Sequence, residues 1–247
     1  MDQRDKIRNV AVVIPTFNEA ESLHNLIDGI FANKEFKFYL VIVDDNSTDK
    51  TADLAEKIAL KYSYPISIVR RNRKMGLASA YVDGFKAAIE LKIDAIVQMD
   101  ADLSHPPKVI PELVSALNSC DVAVGSRYGN REGVSDEWSW GRKVVSRLGD
   151  VYLKLALGKV SKDSKSGFKA YRNTVINKIP LNSIRSKGYV FQSEIDFICR
   201  KLGFTVLEIP YVFQSRFAGD SKMNFGIILE ALWRPFHIRW THRKLMY

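Results

Sequence analysis

Between residues 10 and 125 short apolar runs alternate with segments of helical period, a pattern that restricts the chain to parallel strands joined by crossover helices. Residues 10–14, 39–43, 66–69, 95–99 and 122–125 read as strands. Residues 20–31, 51–61 and 77–91 read as helices, Pro106-Pro107 opens another, and a basic helical stretch covers 143–157. Beyond that the pattern is mixed, with short strands near 168–171 and 205–208 and a helix around 192–202. Residues 128–140, rich in Gly, Ser and charge, form the most linker-like loop and a candidate mobile lid. With 247 residues, 46% of them hydrophobic, the chain can bury the core of one α/β unit with an appended lobe, and a second independent domain is not expected.

Three of the strands run into polar clusters: Pro15-Thr-Phe17-Asn18-Glu19, Asp44-Asp45-Asn-Ser47-Thr-Asp49 and Asp100-Ala101-Asp102. In open α/β sheets ligands bind at the carboxyl ends of the strands, so the three ends point to one crevice. Side chains alternate along a strand, so Asp100 and Asp102 face the same way if the extended geometry persists beyond residue 99. Two such carboxylates suit a hard divalent cation that also holds substrate phosphates, although alone the pair also reads as a polar turn. Asp45 and Glu19 can accept hydrogen bonds from a base or a ribose, while Asn18 and Ser47 also read as helix caps. The first strand is not followed by Gly-x-Gly-x-x-Gly, and there is no P-loop, which argues against dinucleotide-binding Rossmann proteins and ATPases.

A net charge of +9 calls for an anionic partner, whether nucleic acid, a phosphorylated substrate or an anionic membrane surface. The excess is concentrated: residues 127–187 carry fourteen Lys or Arg against five Asp or Glu, and residues 221–247 carry five against one. The charged N-terminus leads straight into a five-residue apolar run, too short for a signal-peptide core, and no stretch reaches the ~18–20 apolar residues of a membrane span. The expectation is a soluble chain on the cytosolic side. Cys120 and Cys199 show neither metal spacing nor a disulfide framework and read as core packing in a reducing compartment.

Pro15-Thr-Phe-Asn-Glu19, Val43-Asp-Asp45-Asn-Ser-Thr-Asp49, Met99-Asp-Ala-Asp-Leu-Ser-His-Pro-Pro107, Gly125-Ser-Arg-Tyr128 and Ser166-Gly-Phe168 follow one another in this order. Together they resemble glycosyltransferase family 2, and within it the dolichol-phosphate (polyprenyl-phosphate) mannosyltransferases, from about residue 8 to about residue 225. The resemblance implies an α/β GT-A domain over residues 1–225, Rossmann-like, with a mostly parallel sheet flanked by helices. A basic and aromatic amphipathic segment at 226–247 follows it, with no transmembrane helix. It implies transfer of mannose, with inversion, from GDP-mannose to a dolichyl or polyprenyl phosphate, assisted by Mg2+ or Mn2+.

Position by position, the resemblance places Pro15, Phe17, Glu19, Val43 and Asp45 around the guanosine, and Asp100, Ala101 and Asp102 on the diphosphate, with the metal at Asp102. Ser104 stands where the family often has Gln, and its shorter side chain suggests a water between it and the metal. Arg127, Arg142 and Ser146 would grip the lipid phosphate, with Arg142 and Ser146 one helical turn apart. Arg216 and Lys222 match the Arg and Lys around a Gly-Glu-Ser-Lys motif, with Asp220 in place of Glu, and would close on the nucleotide diphosphate. Asp100, Asp102, Arg127 and Arg142 thereby form the expected catalytic set. A phosphate monoester acceptor, with its second pKa at roughly 6, is already largely anionic at neutral pH and needs no strong base. His105, before two prolines, reads as a loop residue.

The C-terminal residues interleave Trp233, Phe236 and Trp240 with Arg234, Arg239, Arg243 and Lys244, a composition suited to the membrane interface or to a helix packed on the core. Pro235 interrupts a clean amphipathic pattern. The resemblance implies a peripheral location, on the cytosolic face of the endoplasmic reticulum or the plasma membrane; a small membrane-anchoring subunit, known for family members without their own anchor, is an open alternative to direct membrane contact. Two other readings remain. One is a transferase of the same fold using UDP-glucose or another sugar nucleotide. The other is a basic nucleic-acid-binding protein, disfavoured because its acidic strand ends repel a phosphate backbone.

Overall fold

The computed structural model describes residues 5–128, 140–158, 160–186, 188, 190–213 and 225–245; of residues 140–147, 150 and 225–232 the backbone alone is described. Seven strands form one sheet: β1 (Asn9–Thr16), β2 (Lys37–Asp44), β3 (Ile66–Arg70), β4 (Ala95–Gln98), β5 (Val122–Ser126), β6 (Lys169–Arg172) and β7 (Val206–Pro210). Their order is β3-β2-β1-β4-β6-β5-β7, and all neighbours are parallel except where β6 runs antiparallel between β4 and β5. The helices are α1 (Ala20–Phe31), α2 (Thr51–Tyr62), α3 (Leu77–Glu90), α4 (Ile110–Ala116), α5 (Trp140–Leu157), α6 (Asn173–Lys178), α7 (Val190–Lys201) and α8 (Phe225–Thr241).

The two-residue alternation of the strands builds a core on each face of the sheet. Val10, Val12 and Ile14 of β1 pack with α1, α2 and α4, whereas Ala11 and Val13 pack with α3, α6 and α7. Gly84 lets α3 lie flush on the sheet, because a Cβ there would stand 2.3 Å from Val13 and 3.0 Å from Val43. A third cluster joins Leu153 and Leu157 of α5, Val190 and Phe197 of α7, and Ile238 of α8. Cys120 and Cys199 are buried core residues, and neither is in a disulfide.

The register brings the polar strand ends together. Pro15 pairs with Val43 and Thr16 with Asp44, while Val13 pairs with Gln98 and Gln98 with Lys169. The β1, β2 and β4 termini and the start of antiparallel β6 therefore share one rim.

Three sequence readings are corrected. Strand β4 stops at Gln98, and residues 101–105 form a bend with Leu103 at φ 61°, so the alternation that would align Asp100 with Asp102 does not operate. Pro106-Pro107 open a single 3-10 turn, Pro107–Val109, and α4 starts only at Ile110. The six-residue α6, too short to show a helical period, was not expected. Helix α8 runs through Pro235 with Trp233, Phe236 and Trp240 exposed along one stripe and Ile238 buried, and His242, just past its end, is buried too. No helix among the described residues is long and apolar enough to cross a membrane.

Candidate active site

The β1–α1 and β2–α2 loops are stitched to each other. The Asn18 N–H donates to Ser47 Oγ at 2.9 Å, and Asn18 Oδ1 accepts the Thr48 N–H at 2.8 Å. The first amides of α1 are satisfied from the second loop, Glu19 N–H by Thr51 Oγ1 and Ala20 N–H by Asp49 Oδ2, both at 3.0 Å. Asn18 and Ser47 thus crosslink two loops, and neither caps the helix that follows it. Asp44 is consumed locally by Thr16 and Ser47.

Asp45 is 4% exposed. Its Oδ2 accepts the Met75 and Gly76 amides at 3.2 and 2.9 Å, and its Oδ1 faces the buried Arg71 guanidinium at 2.9 Å. The carboxylate thereby fixes the loop between β3 and α3, and that loop places the Lys74 ammonium 3.8 Å from the centre of the Phe17 ring. Phe17, Glu19 and Pro15 are half-buried along the β1 end of the rim, and Val43 is buried beneath it.

After β4, Tyr81 of α3 donates its hydroxyl to Asp100 Oδ1 at 2.7 Å. Burial and the Asp100 charge push the Tyr81 pKa far up, so it stays a donor. The Asp100 N–H donates to His105 Nδ1 at 3.0 Å, and burial lowers the His105 pKa so that this nitrogen keeps its lone pair. His105 stacks on Phe168 with ring centres 5.0 Å apart. Ala101 is buried. Asp102 Oδ1 accepts both the Ser104 hydroxyl, at 2.6 Å, and the Ser104 amide, at 3.1 Å. Ser104 is thus an orienting partner of Asp102.

At the end of β5, Arg127 meets Asp163 in a bidentate pair, with Nε 2.8 Å from Oδ2 and Nη2 2.6 Å from Oδ1; the Arg127 amide also donates to Oδ2 at 2.9 Å. Asp163 is fully buried. Burial alone would raise its pKa, but the hydrogen bonds and charge of Arg127 outweigh that and lower it. The pair keeps Arg127 cationic, with its pKa raised. Arg142 and Ser146 lie on the first turns of α5, where their side chains are outside the described residues. Arg216, Lys222 and residues 129–139 of the candidate lid lie outside them altogether.

Sequence reasoning missed Tyr81, Arg71 and Asp163. Tyr81 is one aromatic on the apolar face of a core helix, and Asp163 is one carboxylate among lysines and serines. Neither has a local signal, because its partner lies far away in the chain.

Tested as a cation site, the rim offers hard carboxylate oxygens at Asp100 and Asp102, with Ser104 holding one Asp102 oxygen in place. Among the described residues no group of three or more His, Cys, Asp or Glu is assembled for a metal. That donor set fits Mg2+ or Mn2+, which commonly use one or two carboxylates and complete their shell with phosphate and water.

Residues 11–180 match the family Glycosyl transferase family 2. The chain is 37% identical over 224 residues to polyprenol monophosphomannose synthase of Mycolicibacterium smegmatis, covering 90% of this chain and 84% of that one. It is 37% identical over 223 residues to undecaprenyl-phosphate mannosyltransferase of Micrococcus luteus, covering 90% of each. With dolichol-phosphate mannosyltransferase of Pyrococcus furiosus it shares 39% identity over 227 residues, 90% of this chain but only 61% of that longer protein. In fold it is similar to glucosyl-3-phosphoglycerate synthase of Mycobacterium tuberculosis in complex with Mn2+, UDP-glucose and phosphoglyceric acid, at a TM-score of 0.67 and 18% identity over 93% of this chain and 80% of that one. The sheet is accordingly a GT-A sheet. The matched span contains the strand ends that carry Asp45, Asp100 and Asp102, and it covers more than half of the sequence: the chain belongs to glycosyltransferase family 2 and is a glycosyltransferase.

Proposed function

We propose that this enzyme transfers mannose, with inversion, from GDP-mannose to a polyprenyl or dolichyl phosphate, with a divalent cation at the donor diphosphate. The observation that carries the reading is the 37–39% identity to three proteins whose names all join mannose to a polyprenol or its phosphate. Pro15, Phe17 and Glu19 line the nucleoside end of the rim above the buried Val43, and Asp45 shapes it through the Met75-Gly76 amides. Asp100, Ala101 and Asp102 serve the diphosphate, and Asp102, steadied by Ser104, would hold the cation, which when bound draws off charge from the departing nucleotide. Arg216 and Lys222 complete that neutralisation.

On the acceptor side, Arg127, Arg142 and Ser146 bind the lipid phosphate. That phosphate brings its own anionic oxygen, its second pKa being roughly 6, so the protein must hold two anions together rather than remove a proton. His105 fits this economy, since its Nδ1 is committed to the Asp100 amide.

The acceptor's tail calls for a membrane surface, and α5 and α8 supply one. Leu148, Val151 and Leu155 of α5 and Trp233, Phe236 and Trp240 of α8 are all at least half exposed, each set spaced i, i+3, i+7. The helices are joined by the Tyr152–Phe236 edge contact and by Arg239 donating to the Ala156 carbonyl, so the stripes belong to one face. Arg234 and Arg243 sit over Trp233 and Trp240, a pairing of aromatic and cation suited to an anionic headgroup layer. We place this face against the cytosolic leaflet.

The deciding experiment supplies a short polyprenyl phosphate and Mn2+ or Mg2+ with GDP-mannose or, separately, UDP-glucose, and identifies the glycolipid by mass spectrometry. Mannosyl lipid from GDP-mannose alone is expected. Product from UDP-glucose alone would overturn the donor, and product from neither would overturn the acceptor or require a membrane-anchoring partner.

A further inference from the structure

The Ser166-Gly-Phe168 turn, Tyr81 and His105 have no part in the chemistry above, yet they converge on Asp100. Tyr81 is fully buried on α3 and stacks on Phe191 with centres 5.8 Å apart, so its hydroxyl has one fixed position, 2.7 Å from Asp100 Oδ1. His105, 3% exposed, takes the Asp100 amide on Nδ1 at 3.0 Å. Its ring is sandwiched by the parallel face of Phe168 and the edges of Tyr211 and Phe213. Gly167 lets the three approach: a Cβ there would lie 3.2 Å from His105 Cε1 and 3.3 Å from Asp100 Oδ2. Ser166 Oγ accepts the Phe168 amide at 3.2 Å and so closes the turn.

Strand β4 ends at Gln98, so no ladder hydrogen bonds hold the Asp100 backbone. The residue is instead gripped twice, at its carboxylate from α3 and at its amide from its own loop. We infer that Tyr81, His105 and the Ser166–Phe168 turn are positioning residues that hold Asp100 in a single orientation toward the sugar nucleotide, with His105 acting as a neutral acceptor through Nδ1. The inference rests on the reading that Asp100 serves the donor, and its structural half stands apart from that reading.

The test combines a spectrum with kinetics. In the intact protein, long-range 1H–15N correlation of the His105 ring should show the Nε2–H tautomer with an unprotonated Nδ1; an Nδ1–H tautomer overturns the inference whatever the enzyme transfers. His105→Phe keeps the aromatic stack but removes the acceptor, and in a protein that still unfolds cooperatively should lower kcat by about 10–100-fold, the range for lost outer-shell orientation. His105→Asn, whose Oδ1 can take the same amide, should recover much of that loss. Wild-type turnover by His105→Phe, or no recovery by His105→Asn in a folded protein, overturns the acceptor role. If His105→Phe does not fold, Tyr81→Phe, which keeps ring and packing, reads the other grip and should lower kcat with little change in donor KM; an unchanged kcat overturns that half. A wild-type enzyme that transfers nothing from GDP-mannose would refute the proposed function, and the ring tautomer would still decide the inference.

Discussion

Asp163 holds Arg127 at three points, through Nε, Nη2 and the backbone amide, and the two residues are 36 positions apart. The Asp163 amide is itself anchored to Glu208 of β7 at 3.0 Å. The guanidinium at the end of β5 is thus oriented by the loop that precedes β6, and that loop is tied in turn to β7.

Removing one partner of such a pair leaves a buried charge uncompensated. Asp163→Ala should therefore destabilise the fold by about 3–5 kcal/mol, read as a shift of the denaturant midpoint at constant slope. A midpoint within error of wild type would show that Arg127 is adequately solvated without its partner.

Asp163 and a second buried carboxylate, Glu194 of α7, set the acid limit. Burial alone would raise the pKa of Asp163 and Glu194, but Arg127 in the first case, and His242 and Ser186 in the second, outweigh it and bring both below their ordinary range. A carboxyl depressed in the folded state stabilises the fold above its unfolded pKa, roughly 4, and that stabilisation disappears as pH falls through the lowered folded value. Stability should be flat from neutrality to mildly acid pH on account of these groups and decline below about pH 4. Asp163→Asn should make the decline shallower in melting curves taken across that range.

At the carboxylate proposed to hold the cation, Ser104→Ala removes the hydroxyl that holds Asp102 Oδ1 at 2.6 Å. Mn2+-dependent GDP affinity should fall by about 10–100-fold, whereas Asp102→Ala should abolish the metal-dependent part and Arg142→Ala should largely spare it. Calorimetric titrations with and without Mn2+ separate the three variants, and equal losses in all of them would refute this division of labour.

Gly84→Ala tests how tightly α3, the helix that carries Tyr81, lies on the sheet. The added methyl group meets Val13 and Val43 at 2.3 and 3.0 Å, and overpacking of this kind costs about 1–3 kcal/mol. The thermal midpoint should drop accordingly; an unchanged midpoint would mean that α3 can lift without loss.

Replacing Leu148, Leu155 and Trp240 by Ser should leave the fold intact, since all three are exposed, while weakening sedimentation with anionic vesicles. Retained vesicle binding would move the membrane contact elsewhere on the molecule.

The periodicities of the sequence determined the element order from β1 to β5 within a residue or two at most ends, because β1, β2, β4 and β5 are mostly buried and each crossover helix carries its own apolar stripe. The polar clusters lie together on one rim, because parallel β1, β2 and β4 must finish on one side of the sheet. Only the tertiary structure decided what those residues do there. Asp45 turns to the Met75-Gly76 amides, Ser104 to Asp102, Arg127 to Asp163 and Asp100 to Tyr81 and His105. Most of these are pairings between segments far apart in the chain, and a buried polar group is satisfied by whatever the fold brings within about 3 Å of it. Periodicity records which face of an element is buried; it carries no information about which distant donor will meet a given carboxylate.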